Sequence, residues 1–147
     1  MRIDLEPLSA EHLIEIHSLD AVECHLNAEQ LTDHWQSYQS GPAFVGREQN
    51  KPGIVAAAGV ITMWNGVGEG WAILSPRAKG RAVLRAFQET FRLIQIAHNY
   101  HRIQAAVRAD FTDGIRFANW MGFESEGVME KYNAEKQDFV RMAKVLK

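Results

Sequence analysis

The most constraining stretch of this sequence runs from Gly68 to Asn99 and combines a strand pattern, a basic turn and a long amphipathic helix. Residues 69–74 are mostly apolar and predict a strand, and residues 75–82 predict the turn. In the helix, apolar residues recur at i, i+4, i+8 and i+11, a pattern typical of packing on one side only. The apolar face holds Val83, Phe87, Phe91 and Ile94, and the polar face holds Arg81, Arg85, Gln88, Arg92, Gln95 and Asn99. The stretch therefore predicts an α/β unit.

The turn in this unit is a candidate anion site. A strand that leads into a helix through a glycine turn aims several unpaired backbone N–H groups at one spot, where the helix dipole adds partial positive charge. Four basic residues surround that spot: Arg77, Lys79, Arg81 and Arg85. No acidic residue follows before Glu89, which favours phosphate as the ligand. An ordinary helix start, with Ser75 as N-cap and Pro76 in the first turn, explains the same residues without a ligand.

Composition limits the kinds of protein that this chain can be. Of its 147 residues, 46% are hydrophobic and 23% are charged, which predicts one globular domain over residues 1–147. A formal net charge of −2 argues against general nucleic-acid binding. The single cysteine, Cys24, cannot form an internal disulfide, and no apolar run is long enough to span a bilayer. We therefore expect a cytoplasmic protein that does not interact with a membrane.

The first forty residues predict one strand and two helices. Residues 2–8 alternate in polarity, which is typical of a strand. Residues 9–19 carry apolar side chains at helical spacing, and a capping-box pattern at residues 27–30 begins a second helix over residues 27–38.

Strand signals dominate the middle of the chain. A strand begins at Ala43, and residues 51–53 (Lys-Pro-Gly) suit a type II turn. Residues 54–63 are nearly all apolar with small side chains, which predicts a strand buried on both faces. Asn65-Gly66 is a strong hairpin signal, because both residues tolerate positive φ. It pairs this strand antiparallel with residues 67–74.

The last third of the chain predicts a parallel crossover and two closing strands. Residues 102–109 alternate in polarity and follow the long helix, so this strand runs parallel to the one before the helix, through a right-handed connection. Residues 112–121 predict a short helix that ends at Gly122 in the C′ position. The final strands are predicted over residues 128–132 and 139–145. The order of elements predicts a mixed α/β fold.

Three segments resemble motifs of the GNAT superfamily of acetyl-coenzyme A-dependent N-acyltransferases. Arg77–Ala82 fits the pyrophosphate loop of that family, Q/R-x-x-G-x-G/A. Phe117–Phe123 is similar to the segment before the family's sixth strand, which ends in Gly-Phe, and Asp138–Met142 is similar to its last strand. The segments also occur in the family's order and spacing. The resemblance implies a GNAT-like fold, a mixed and mostly antiparallel sheet flanked by helices, with two splayed parallel strands at its centre.

The same resemblance implies a site for acetyl-CoA as co-substrate. The backbone at Ile73 and Leu74 would pair with the pantetheine arm, and the N–H groups of the loop would hold the pyrophosphate. The loop residues are Arg77, Ala78, Lys79, Gly80, Arg81 and Ala82. A second register over residues 79–84 places Ala82 and Leu84 where the family has glycines.

Two residues are candidates for proton transfer. Glu69 lies on the strand that would hold the thioester, beside Trp71, and a carboxylate partly removed from water there suits a general base. An exposed glutamate at the end of a hairpin is the alternative. Many GNAT members hold a tyrosine acid at the position of Ala118, so Tyr132 is the candidate substitute, with simple strand packing as its alternative.

The implied acceptor is an amine of a small molecule or a peptide, bound by a monomer or homodimer. By resemblance it would enter along residues 20–40, where His25, His34 and Trp35 lie. The spacing of the six histidines gives no metal-ligand set. Residues 114–117 are also similar to a GNAT-like internal virion or morphogenesis protein of tailed phages. A non-catalytic protein of that kind, or a CoA-binding regulatory module, is therefore an alternative function.

Overall fold

A computed structural model describes residues 2–9, 11–12, 15 and 40–146. The strands are β1 (Ile3–Pro7), β2 (Ala43–Glu48), β3 (Ala56–Trp64), β4 (Val67–Leu74), β5 (Arg102–Arg108), β6 (Glu124–Met129) and β7 (Phe139–Val145). The helices whose two ends lie within the described residues are α1 (Arg81–Ala97) and α2 (Thr112–Trp120). The strands form one sheet in the order β1-β2-β3-β4-β5-β7-β6. All neighbours are antiparallel except β4 and β5. The helices predicted over residues 9–19 and 27–38 lie, apart from a few positions, outside the described residues.

The predicted hairpin joins β3 and β4 at the centre of the sheet. The two strands pair antiparallel over their whole length, with an irregularity between Thr62 and Trp64. Of the two turn residues, Gly66 alone has a positive φ (81°), and Asn65 keeps an ordinary backbone conformation. The prediction of a strand buried on both faces holds for residues 54–60, whereas residues 62–64 are exposed because the hairpin extends beyond the core.

Helix α1 covers one face of the sheet with the predicted apolar stripe. Val83, Phe87, Phe91 and Ile94 are all buried in one cluster with residues of β3, β5 and β7. Ala72 and Leu74 of β4 pack against that cluster, whereas Trp71 and Ile73 belong to a second cluster on the opposite face, as alternation along a strand requires. The prediction of Gln95 on the exposed face is wrong, because its side chain is buried.

The parallel crossover and the second helix are confirmed. β5 runs parallel to β4, and α2 is followed by Gly122 with a φ of 97°, the left-handed conformation of a C′ glycine. No helix within the described part of the chain combines the length and the apolar character that crossing a bilayer requires.

The bounds predicted for the sixth strand are wrong. β6 begins at Glu124 and ends at Met129, so Tyr132 lies beyond it. The strand is at the edge of the sheet, is largely exposed and contains an irregularity between Ser125 and Gly127. Its stability comes from backbone pairing with β7, so its sequence lacks the alternation on which strand prediction depends.

Candidate active site

A cleft opens where the two parallel strands separate. β4 and β5 pair only over residues 67–69 and 102–104. Beyond that point β4 continues to Leu74 beside β3, and β5 continues to Arg108 beside β7. The gap between them has a volume of about 640 Å³. The predicted splay of the parallel strands is therefore present.

The cleft passes through the sheet, because its walls include residues from both faces. On the α1 face it is lined by aromatic and apolar side chains, among them Phe87, Phe117 and the buried Ala118. Phe87 and Phe117 meet edge to face, with ring centroids 5.4 Å apart, and so hold α1 and α2 together. On the other face the lining includes Glu69 and Arg141. The cleft is mostly apolar and carries a charged pair where Glu69 and Arg141 line it.

The N-terminus of α1 supplies unpaired backbone donors at the splayed end of β4. The first backbone hydrogen bond of this helix runs from the N–H of Leu84 to the carbonyl of Gly80, at 3.2 Å. The N–H groups of residues 80–83 donate to no backbone carbonyl or capping side chain of the described residues, and the first turn contains no acidic residue. Gly80 has a φ of 91°, and no atom lies within 4 Å of where its Cβ would be. The interpretation of Ser75-Pro76 as a helix start is wrong, because α1 begins at Arg81.

The turn before α1 uses its own N–H groups internally. The N–H of Arg77 donates to the hydroxyl oxygen of Ser75 at 3.2 Å, and that of Ala78 donates to the carbonyl of Ser75 at 2.9 Å. The N–H of Lys79 donates to the carbonyl of Arg77 at 2.8 Å. Of the six predicted loop residues, only Gly80, Arg81 and Ala82 thus present free N–H groups.

The basic side chains around this turn divide into two groups. The guanidinium of Arg77 donates to the carbonyl of Pro52 at 2.7 Å and to the carboxylate of Glu48 at 3.1 Å, so it anchors the turn to the end of β2 and to the segment that follows it. In contrast, Lys79, Arg81 and Arg85 are exposed and form no ion pair with the residues described. These three side chains are therefore available to an anion at the helix terminus.

Glu48 makes the anchoring of the turn dependent on pH. Hydrogen bonds from Lys51 and Arg77 hold the pKa of its carboxyl below the ordinary value. A lowered pKa means that the stabilisation is present above the pKa of the unfolded chain and is lost as the pH falls through the pKa of the folded one. We expect Glu48→Gln to lower the Tm slightly at pH 7, because ion pairs with exposed partners contribute little, and we expect the difference from the parent to vanish in acid.

Thermal denaturation at several pH values measures this effect. Glu130→Gln is the matched control, because Glu130 is exposed and has no ion pair among the described residues. A Tm difference for Glu48→Gln that is the same at acidic and neutral pH would contradict the anchoring role.

Glu69 forms an ion pair with Arg141, a residue that the sequence patterns did not mark as a site residue. Nη1 of Arg141, on β7, lies 2.8 and 2.9 Å from the two carboxylate oxygens of Glu69, and each side chain is 20% exposed. Nη2 of Arg141 lies 3.5 Å from the sulfur of Met129. The interpretation of Glu69 as an exposed glutamate at a hairpin end is wrong, because its side chain is only 20% exposed and is paired with Arg141. Arg141 places a charge within the apolar run of β7, and this is the sequence signal that could have identified it as a candidate site residue.

Tyr132 and Ala118 both border the cleft, from different sides. Tyr132 is 41% exposed and packs on Phe139, with ring centroids 5.1 Å apart. The cleft therefore brings together Glu69, Tyr132, Ile73 and Leu74. The predicted acceptor residues His25, His34 and Trp35 lie outside the described residues.

Comparisons with known proteins identify the fold. Neither protein-family models nor curated proteins give a match. Among solved structures, one assigned as a phosphinothricin N-acetyltransferase has a TM-score of 0.81 and 14% identity, covering 99% of both chains. The spermidine/spermine N-acetyltransferase SpeG from Vibrio cholerae has a TM-score of 0.73 and 19% identity over 98% of this chain and 92% of that one. The ribosomal-protein-S5-alanine acetyltransferase from Vibrio fischeri has a TM-score of 0.73 and 18% identity, over 99% and 93%.

These similarities define the class of fold. The mixed sheet with one parallel, splayed strand pair is the GNAT fold of N-acetyltransferases. At such low identity, these similarities establish the architecture alone. The chemistry of this chain follows from its own residues.

Proposed function

We propose that this protein is an acetyl-CoA-dependent N-acetyltransferase, formed as one domain over residues 1–147. The observation that supports this proposal best is the cleft between β4 and β5, which extends from Leu74 to the Glu69–Arg141 pair on the opposite face of the sheet. The N-terminus of α1, with its free N–H groups, follows Leu74 after a short turn whose residues do not line the cleft. An extended arm with a reactive end could thus occupy the cleft while its anionic head lies at the helix N-terminus.

The residues fit an acetyl-CoA molecule in three places. The N–H groups of Gly80, Arg81 and Ala82 would hold the pyrophosphate, with added charge from Lys79 and the side chain of Arg81. Arg77 and Ala78 serve this site indirectly, because their contacts shape the turn. At Ile73 and Leu74 the strand has no pairing with β5. By strand alternation the backbone groups of Ile73 face β3, so those of Leu74 would hydrogen-bond to the pantetheine amides.

The chemical step requires a proton acceptor and a proton donor. The bound donor supplies an acetyl thioester, whose carbon–sulfur bond breaks as the carbon–nitrogen bond to the amine forms. Glu69 is the group that would take the proton of the acceptor ammonium. Ala118 carries no acidic hydrogen, so Tyr132 or a water molecule would protonate the departing sulfur.

The acceptor is the amine of a small molecule or peptide. The similar structures are named for three different acceptors: a polyamine, phosphinothricin and a ribosomal protein. All three acceptors are amines, and they share no single substrate. We place the reaction in the cytoplasm, where the lone Cys24 stays reduced.

Calorimetric titration with acetyl-CoA, CoA and ATP tests the donor site. We expect acetyl-CoA and CoA to bind, and ATP to bind about tenfold or more weakly, because ATP lacks an arm to fill the apolar cleft. Release of free thiol with a panel of primary amines then measures transfer. Absence of binding by acetyl-CoA at about millimolar concentration would refute the proposal, and binding without transfer to any amine would favour a non-catalytic protein, such as a phage assembly protein or a regulatory module.

A further inference from the structure

The Glu69–Arg141 pair has an unusual geometry for an arginine–carboxylate contact. Both oxygens of Glu69 accept from the same nitrogen, Nη1, at 2.8 and 2.9 Å. The edge formed by Nε and Nη2, which matches the two oxygens of a carboxylate, donates to no oxygen of a described residue. Among the described residues, the one hydrogen-bond acceptor that this edge meets is the sulfur of Met129, a weak acceptor. Arg141 therefore retains a carboxylate-binding edge while it holds Glu69.

A second ion pair lies beside this one. Arg102 pairs with Glu126 and donates from Nε to the side chain of Gln104 at 3.0 Å. Gln104 is the residue opposite Glu69 on β5. Each of these two arginines thus has a glutamate as its partner, so an ammonium ligand at Glu69 meets a carboxylate that is already paired.

The pairing of Glu69 with Arg141 limits the kind of amine that can bind. An ammonium that approaches Glu69 competes with Arg141, and a simple amine would leave this largely buried guanidinium without an anion. Leaving one member of such a pair uncompensated is strongly unfavourable. A ligand that brings its own carboxylate replaces both halves of the contact, so that neither charge loses its partner.

We propose that the acceptor is an amine with a carboxylate on the adjacent carbon, that is, an α-amino acid bound across Glu69 and Arg141. This inference rests on the proposed function and specifies its substrate. The ammonium lies at Glu69 and the carboxylate lies at the Nε–Nη2 edge of Arg141. Because the two side chains are in direct contact, the ligand's charges must also be close together. Arg141 is a specificity-determining residue in this arrangement.

Matched acceptors test the proposal with the parent protein. The probes are alanine, phenylalanine, glutamate and lysine, with their α-amides and their decarboxylated amines. We expect kcat/KM for at least one acid to exceed that for its amide and its amine by about 10- to 100-fold, the usual effect of charge-assisted hydrogen bonds. Equal values across all four series would overturn the proposal.

Substitution of Arg141 separates specificity from folding. Arg141→Met should remove the preference for the acid, and Arg141→Lys should restore only part of it, since lysine keeps the charge but lacks the planar edge. Arg92→Met is the control, because Arg92 is exposed on α1 and, within the described part of the chain, pairs with Glu89 alone. If Arg141→Met does not fold, the double variant Glu69→Gln/Arg141→Met removes both charges and should bind acids and amides equally.

Binding measurements keep this inference distinct from the proposed function. The same amino acids and amides are titrated into the protein without acetyl-CoA, with detection by calorimetry. Transfer to simple amines with no preference for acids would overturn the inference and leave the acetyltransferase function standing. Arg141-dependent binding of amino acids without any acetyl transfer would support the inference and refute that function.

Discussion

Replacing Glu69 with glutamine is expected to lower kcat by roughly 10²- to 10⁴-fold, the usual contribution of a general base. Glutamine has nearly the same shape and still accepts a hydrogen bond from Nη1 of Arg141, so the cleft should keep its form. The pyrophosphate site lies at the other end of β4, beyond Leu74, and its affinity for acetyl-CoA should stay within about twofold, because distant sites usually act independently. Steady-state kinetics and calorimetry on the same samples measure the two effects.

A matched control for this variant is Glu89→Gln. Glu89 also pairs with an arginine, Arg92, but both side chains are exposed on α1 and neither lines the cleft. The same chemical change there should leave kcat nearly unchanged. A pH–rate profile that is identical in the parent and in Glu69→Gln would remove Glu69 from the mechanism.

Reversing the charge of Arg81 is expected to weaken acetyl-CoA binding by roughly 10- to 100-fold, because it replaces an attractive charge beside the pyrophosphate with a repulsive one. Arg81→Glu should at the same time stabilise the fold slightly. α1 begins at Arg81 and has no acidic residue in its first turn, and an acid there typically contributes about 0.3–1 kcal/mol through the helix dipole. Affinity and Tm should thus move in opposite directions.

Arg92→Glu gives the same change of charge farther along the same helix. It lies eleven residues on, about 16 Å at 1.5 Å per residue, beyond the screening length of about 10 Å at 0.1 M salt. Acetyl-CoA affinity should hardly change in this variant. Equal losses of affinity in both variants would show that the helix N-terminus is not the anion site.

The local elements of this fold follow from its sequence. The apolar stripe of α1, the hairpin at Asn65-Gly66 and the glycine end of α2 depend on neighbouring residues, so periodicity and turn chemistry predict them. The parallel crossover also follows, because a helix between two strands leaves few other topologies. The splay of β4 from β5 came from the GNAT resemblance.

The tertiary structure alone decided which charges meet. Glu69 and Arg141 are separated by 72 positions in sequence, and Arg77 reaches Glu48 across 29. No local pattern encodes such pairs, because they exist only once β7 and the end of β2 are in place. The burial of Gln95 and the extent of β6 have the same origin, since packing against distant elements outweighs local propensity. The sequence therefore determined the scaffold and the helix terminus, and long-range pairing decided the charged end of the cleft.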